Sequence, residues 1–185
     1  MQAIDALLNR RSARSLADPA PDDGALELLL ECACRAPDHG RLRPWRFIVI
    51  RGSARERFGE LLAAHLHRRQ PGASAESLQR ERQKALRAPL IIVVAAVSNA
   101  TAKVPAIEQV LAAGAAAQNL MLAAPALGFA AMWKTGEAAY DDTVKTALGL
   151  DPADAIVGFL YVGTEPREAA PAPARGEWRD RVRYW

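Results

Sequence analysis

Three short stretches hold residue types that could do chemistry. The first is Asn9-Arg10-Arg11-Ser12-Ala13-Arg14. Guanidiniums packed beside a hydroxyl suit a phosphate, because arginine offers forked, charge-assisted donors and serine adds another. The same residues also suit a solvated basic helix end, where cations sit well against the dipole. The second stretch is Arg35-Ala-Pro-Asp-His-Gly-Arg-Leu-Arg-Pro-Trp45. Its prolines and tryptophan fix a loop that leads into a strand. Trp45 reads as a core anchor, and His39 as a surface loop residue unless a ligand lies against it. The third is Gly128-Phe-Ala-Ala-Met-Trp-Lys-Thr-Gly136. It carries Trp133, Lys134 and Thr135 to the end of a buried strand, a common place for ligands. A strand end with Lys134 in water is the competing reading.

Elements of regular structure must hold these stretches in place. Ile4, Leu7 and Leu8 recur at helical spacing and predict a short first helix ending near Arg10. Asp18-Pro-Ala-Pro is a loop. A second helix starts near Asp22, with Asp22 or Asp23 a fair N-cap, and Pro37 bars its continuation. Trp45 to Arg51 reads as a strand closed by Gly52, followed by helices over about 53–69 and 74–87. Pro89-Leu-Ile-Ile-Val-Val-Ala-Ala-Val is a continuous apolar run, as a strand buried on both faces requires. A long helix begins near Pro105. Ile107, Val110, Leu111, Gly114, Gln118, Met121 and Leu122 form one stripe, and Ala112, Ala113, Ala115, Ala116 and Ala123 the other face. A helix apolar or small all round is expected to be buried on all sides, with a second copy of the chain supplying one neighbour. Pro125 bends the helix or closes its last turn before Gly128. Strands over 129–135 and 156–162 flank a helix near 140–149. The expected fold class is therefore α+β: one domain over residues 1–185, with about five helices around a small sheet. Residues 166–185 form an extended arm; Trp178, Tyr184 and Trp185 favour laying it over a partner, since large aromatics are seldom left solvated.

Bulk properties narrow the function. The chain has 185 residues, half of them hydrophobic, and a formal net charge of +3. Basic residues are interspersed with acidic ones, so nucleic acid is not an expected partner. Cys32 and Cys34 fall two apart on a helix, as do His65 and His67, so neither pair converges and no metal site is expected. Sparse cysteine suits a reducing, cytoplasmic setting. The start of the chain lacks the apolar run of a signal peptide. The uncharged span Gln109–Trp133 is alanine-rich and holds Gln118, Asn119 and Pro125, so a buried helix and strand fit it better than a membrane crossing.

Taken together, the three stretches resemble the nitroreductase family, in particular its short branch of NAD(P)H nitroreductases. Arg10-Arg11-Ser12-x-Arg14 after an apolar helix is similar to the family's opening. Ala36-Pro-Asp-His followed by Pro44-Trp45 is similar to its second signature, Arg87-Ala-Pro-Leu-Ile-Ile-Val-Val to the strand that follows, and Leu127-Gly-Phe and Gly158-Phe-Leu-Tyr-Val-Gly-Thr-Glu-Pro to its late signatures. Each motif is weak alone; their order and spacing over residues 2 to 166 make the likeness specific.

The resemblance implies a nitroreductase-like fold, with a mainly antiparallel sheet flanked by helices and the C-terminal arm exchanged across a homodimer. It implies FMN at the dimer interface. Arg10, Arg11 and Ser12 would hold its phosphate, ribityl chain and ring edge, and Arg14 would lie near the pyrimidine side, stabilising charge on the reduced ring. Trp133, Lys134 and Thr135 would contact it from the same chain, and Arg35 and His39 from the partner. Ala123, Ala124, Pro125, Ala126, Leu127 and Gly128 match a stretch that meets NAD(P) in similar proteins. The implied reaction is ping-pong: NAD(P)H reduces the flavin and leaves, and an electron-poor small molecule such as a nitroaromatic or quinone takes its place. The cofactor carries the redox chemistry, so no catalytic side chain is required. Two departures matter. Asp38-His39 stands where many members have paired serines, and Arg43 where many have glutamine, so the pocket is more charged. A flavin carrier or sensor without turnover stays open, as does a dehalogenase or flavin-fragmenting enzyme on the same fold.

Overall fold

The computed structural model describes residues 2–166 and 176–185. A four-stranded, wholly antiparallel sheet runs through its centre in the order β1-β2-β4-β3. The strands are β1 (Trp45–Arg51), β2 (Leu90–Ala96), β3 (Ala130–Lys134) and β4 (Ala155–Gly163). Every residue of β2 is buried, as its unbroken apolar run demands. Alternate side chains divide the core in two. Leu90, Ile92 and Val94 join Leu160 and Val162 on one face, and Ile91, Val93 and Ala95 join Phe159 and Tyr161 on the other.

The first face is covered by α2 (Asp23–Ala33) and α5 (Ala106–Ala126), the second by α3 (Ala54–Arg69), α4 (Ala75–Lys84) and α6 (Asp142–Ala147). Asp22 caps α2 through the amide of Ala25, as its sequence position leads one to expect. Cys32 and Cys34, at the end of α2, are both exposed and free. Gly59 lets α3 and α4 touch: a β-carbon there would lie 2.8 Å from the carbonyl oxygen of Arg82. Pro125 falls in the last turn of α5, and Gly128 at φ +85° ends the helix, with the amide of Phe129 reaching back to the carbonyl of Ala124.

Within the protomer one side of α5 is packed: Ala112, Ala113, Ala116, Ala117 and Ala124, together with Leu120 and Met121, join the core over the sheet. Small residues let the helix axis approach a surface already filled by Ile92, Val94 and Leu160. The larger stripe faces away, with Ile107 62% and Leu111 63% exposed. Met121 belongs to the alanine side rather than to that stripe. The short α1 (Ala3–Asn9) rests against α5 and has no buried residue, leaving Ile4, Leu7 and Leu8 uncovered as well.

No helix among the described residues is long and apolar enough to cross a membrane, and no group of three or more potential metal ligands is assembled there. Residues 167–175 of the expected C-terminal arm lie outside the described residues. Trp178, Tyr184 and Trp185 are all exposed within the protomer, and the Arg179 guanidinium lies over the Trp178 ring at 5.1 Å.

Candidate functional site

The segment after α1 lies along β3. The Ala13 amide donates to the carbonyl of Ala131, and Ala17 pairs with Thr164 in a two-bond bridge. Ala13 and Leu16 turn into the core, while Ser12 and Arg14 are exposed and Arg10 half-buried. Arg11 turns to the other side and forms a bidentate ion pair with Glu165, just after β4. That contact ties the segment to the strand end. Arg11, Asn9 and Glu165 share a small cleft with Pro125 and Phe129 at the end of α5. The stretch Ala123–Gly128 is thus brought next to the arginine segment, although Ala124 is fully buried.

A deeper pocket of about 180 Å³ opens at the end of β3. Lys134, Thr135 and Gly136 form one rim, and Glu81, Lys84 and Arg87, from α4 and the turn after it, form the other. Phe58 and Phe159 supply an aromatic wall, with ring centroids 5.4 Å apart. Lys84 is paired with Glu81 at 2.5 Å, whereas Lys134 and Arg87 have no carboxylate within ion-pair distance among the described residues. Tyr161 lines the same pocket; burial, only partly offset by the Arg87 charge, pushes its hydroxyl up to about 12. It is a neutral donor at any physiological pH.

The motifs did not bring Glu81, Lys84 and Arg87 to notice. In the sequence they look like the solvated face of a polar helix, and only the fold turns that face toward β3. His65 was missed in the same way. It is 6% exposed, lines the pocket, and holds Nδ1 at 3.1 Å from Asp141 Oδ2. Neither of its ring nitrogens makes a well-aligned hydrogen bond.

Asp141 joins this pocket to α6. Its carboxylate caps α6 through the amide of Val144 at 2.9 Å and meets Arg68 at 3.1 Å. Burial would raise its pKa, but the Val144 amide, His65 and Arg68 outweigh that and hold it below the ordinary carboxylate value. A depressed folded pKa contributes stability in full above the unfolded value, and that stability is lost as pH falls through the folded one. Asp141→Asn should therefore flatten the dependence of melting temperature on pH below about pH 5. A slope equal to that of the unmodified protein would remove Asp141 from the acid response.

Trp133 lies on the opposite face of β3 from Lys134. Its Nε1 donates to the carbonyl of Val157 at 3.2 Å, and its ring covers Gly158. A β-carbon at 158 would sit 2.1 Å from that nitrogen. Gly158→Ala must displace the indole or the strand, a change that should cost about 1–3 kcal/mol. Thermal melting and near-ultraviolet dichroism of Trp133 would register it; an unchanged melting temperature would contradict this packing.

Arg35 and His39 lie elsewhere in the protomer. Arg35 is exposed just past α2, and His39 Nδ1 contacts Glu108 Oε2 at 2.6 Å, in the first turn of α5. Pro125, beside the arginine segment, is in the last turn. Seventeen residues of helix at 1.5 Å each put these two ends roughly 25 Å apart. One chain does not bring all the sequence-selected residues to one place.

Known proteins resemble this chain over most of its length. The model of the nitroreductase family matches residues 7–164. A protein of Escherichia coli strain K12 named "Putative NAD(P)H nitroreductase YdjA" is 41% identical over 170 residues, covering 92% of either chain. The nitroreductase-like protein of Bacillus cereus has a similar structure, with a TM-score of 0.85 at 24% identity, over 100% of this chain and 96% of that one. A Desulfovibrio desulfuricans nitroreductase solved in complex with FMN gives a TM-score of 0.75 at 30% identity, over 97% and 94% of the two chains. With the family model and a full-length relative in agreement with the fold, this chain belongs to the nitroreductase family.

Proposed function

We propose that the protein is a homodimeric, FMN-dependent oxidoreductase that takes electrons from NAD(P)H and passes them to an electron-poor small molecule, such as a nitroaromatic or a quinone. The observation that carries this reading is the pocket at the end of β3. It joins an aromatic wall to a rim on which Lys134 and Arg87 have no carboxylate within ion-pair distance among the described residues, and the Arg10–Arg14 segment is hydrogen-bonded to the same strand through Ala13. That donor set fits FMN: a flat apolar ring system that gains negative charge on reduction, and a phosphate at its far end.

When bound, FMN supplies reversible hydride and electron transfer, which no side chain of this protein can. The chain's own residues do the rest. Arg10 and Ser12 bind the phosphate and ribityl end, and Arg14 and Lys134 offset charge on the reduced ring. Arg11, engaged by Glu165, holds the segment that carries them. Thr135 and the strand-end backbone orient the ring, and Trp133 stiffens β3 from behind through its bond to Val157. Phe58 and Phe159 exclude water from the inner wall. Protons come from solvent at the open side.

The separation along α5 supports the dimer. Two chains packed about a twofold axis through the exposed Ile107–Leu111 stripe would carry Arg35 and His39 of one protomer toward the β3 end of the other. The nicotinamide would approach over Ala123–Gly128. Anaerobic mixing of the FMN-loaded protein with NADPH or NADH tests the reaction. Rapid loss of the yellow absorbance, restored by a quinone or nitroaromatic, is expected. Stable colour with both donors would leave a flavin carrier without turnover.

A further inference from the structure

We propose that the loop entering β1 and the loop leaving β2 form a subsite for the 2′-phosphoadenosine half of NADPH, and that the protein selects NADPH over NADH there. The inference rests on the dimeric flavin reading above and adds a donor preference to it.

The two loops enclose a cleft of about 430 Å³, far from the β3 pocket within the protomer. Leu42, Pro44 and Val97 give it an apolar flank suited to a flat heterocycle. Arg43 and Arg46 give it two guanidiniums and Ser98 a hydroxyl, while the Thr101 hydroxyl donates to Asn99 Oδ1 at 2.8 Å. Forked donors with a nearby hydroxyl match a phosphate monoester. Apolar flank and cationic end together match a phosphorylated adenosine better than either a bare anion or an uncharged ring.

The cleft is built, not incidental. Arg41 and Arg43 hold φ of +55° and +48°, a left-handed conformation that residues with a side chain rarely adopt. The strained turn is locked from within. Asp38 Oδ2 accepts the amide of Arg43 at 2.6 Å, and the Arg46 guanidinium donates to the carbonyls of Arg43 and Trp45 at 3.1 and 2.9 Å. The facing loop is clamped by Gln109, 3% exposed, which accepts from the Asn99 amide and donates to the Val104 carbonyl. Backbone strain kept at a surface loop points to function rather than packing.

Charge favours an anion. Arg41, Arg43 and Arg46 are exposed, with no carboxylate in ion-pair range among the described residues. Lys103 lies on the facing loop. Of the nearby carboxylates, Asp38 is engaged by the Arg43 amide, Glu108 by His39, and Asp154 is buried and accepts the amides of Ser98 and Asp151. The position also suits a nicotinamide donor. His39, placed against the partner's flavin in the dimeric reading, is only four residues before Arg43. A dinucleotide stacked on that flavin would thus run its adenosine end onto this loop.

The test is calorimetric titration of the FMN-loaded protein with adenosine 2′,5′-bisphosphate, adenosine 5′-monophosphate and inorganic phosphate. The bisphosphate should bind at least about tenfold tighter than either, the difference one charge-assisted phosphate contact makes. Arg43→Ala, checked for retained fold and FMN content, should bring the two nucleotides within about threefold of each other, and should raise the KM for NADPH far more than that for NADH. Arg41→Ala, at the neighbouring turn position, should weaken the bisphosphate in the same direction. Equal binding of the two nucleotides, discrimination surviving in Arg43→Ala, or inorganic phosphate binding as tightly as the bisphosphate would each overturn the subsite. Protein that holds no FMN at all would instead sink the flavin reading.

Discussion

Arg10→Ala weakens FMN binding by about 1.5–3 kcal/mol, roughly ten- to a hundredfold, the scale of a hydrogen bond to a charged partner. Arg10 leads the exposed side of the segment that Ala13 and Ala17 pin along β3 and the end of β4. A pinned backbone makes the loss large, because little conformational entropy is spent ordering the side chain on binding. Neighbouring Arg11 does not compensate, since both of its forked donors face Glu165. The expected signature is weaker FMN affinity by fluorescence titration. An unaltered dissociation constant would take Arg10 out of the site.

Replacing both Ile107 and Leu111 with glutamate should convert the dimer to a folded monomer that no longer retains FMN. Each side chain is more than three-fifths exposed in the protomer, so neither change disturbs the fold. The alanine face of α5 still packs on the sheet. In the dimer the same positions would be buried. Each lost contact would forfeit about 1.5–3 kcal/mol, and each unpaired carboxylate would add a desolvation penalty. A twofold axis doubles both. Sedimentation would report the monomer and circular dichroism the retained helices. Flavin would be lost because Arg35 and His39 of the partner depart with it. A dimer that persists would move the interface off α5.

The fold could be read in the sequence wherever one residue class had one place to go. The unbroken apolar run at 90–96 could only be a doubly covered strand, and the Asp22, Pro37 and Gly128 signals set helix ends to within a few residues. The orientation of α5 could not be read, because both of its faces are compatible with burial. Steric distance decided it: alanines took the sheet, where axes must come close, and the larger residues were left for a neighbour. The candidate site was legible in halves. Arg10 to Arg14 and Trp133 to Thr135 were found through clustered types at element ends, and the fold does bring those two stretches to the same edge of the sheet. Glu81, Lys84, Arg87 and His65 were not found, because their types and spacing suit any solvated helix. Only the third dimension turns α3 and α4 toward the end of β3. Arg35 and His39 stand apart for a different reason: in the proposed dimer their meeting with the rest would need a second chain.

Native mass spectrometry of the protein reconstituted with excess FMN and then freed of unbound ligand tests that shared pocket most directly. Dimers carrying two FMN, with any monomer present carrying none, are the expected species. Monomers that retain FMN, or dimers that never acquire it, would contradict a flavin site built from two protomers.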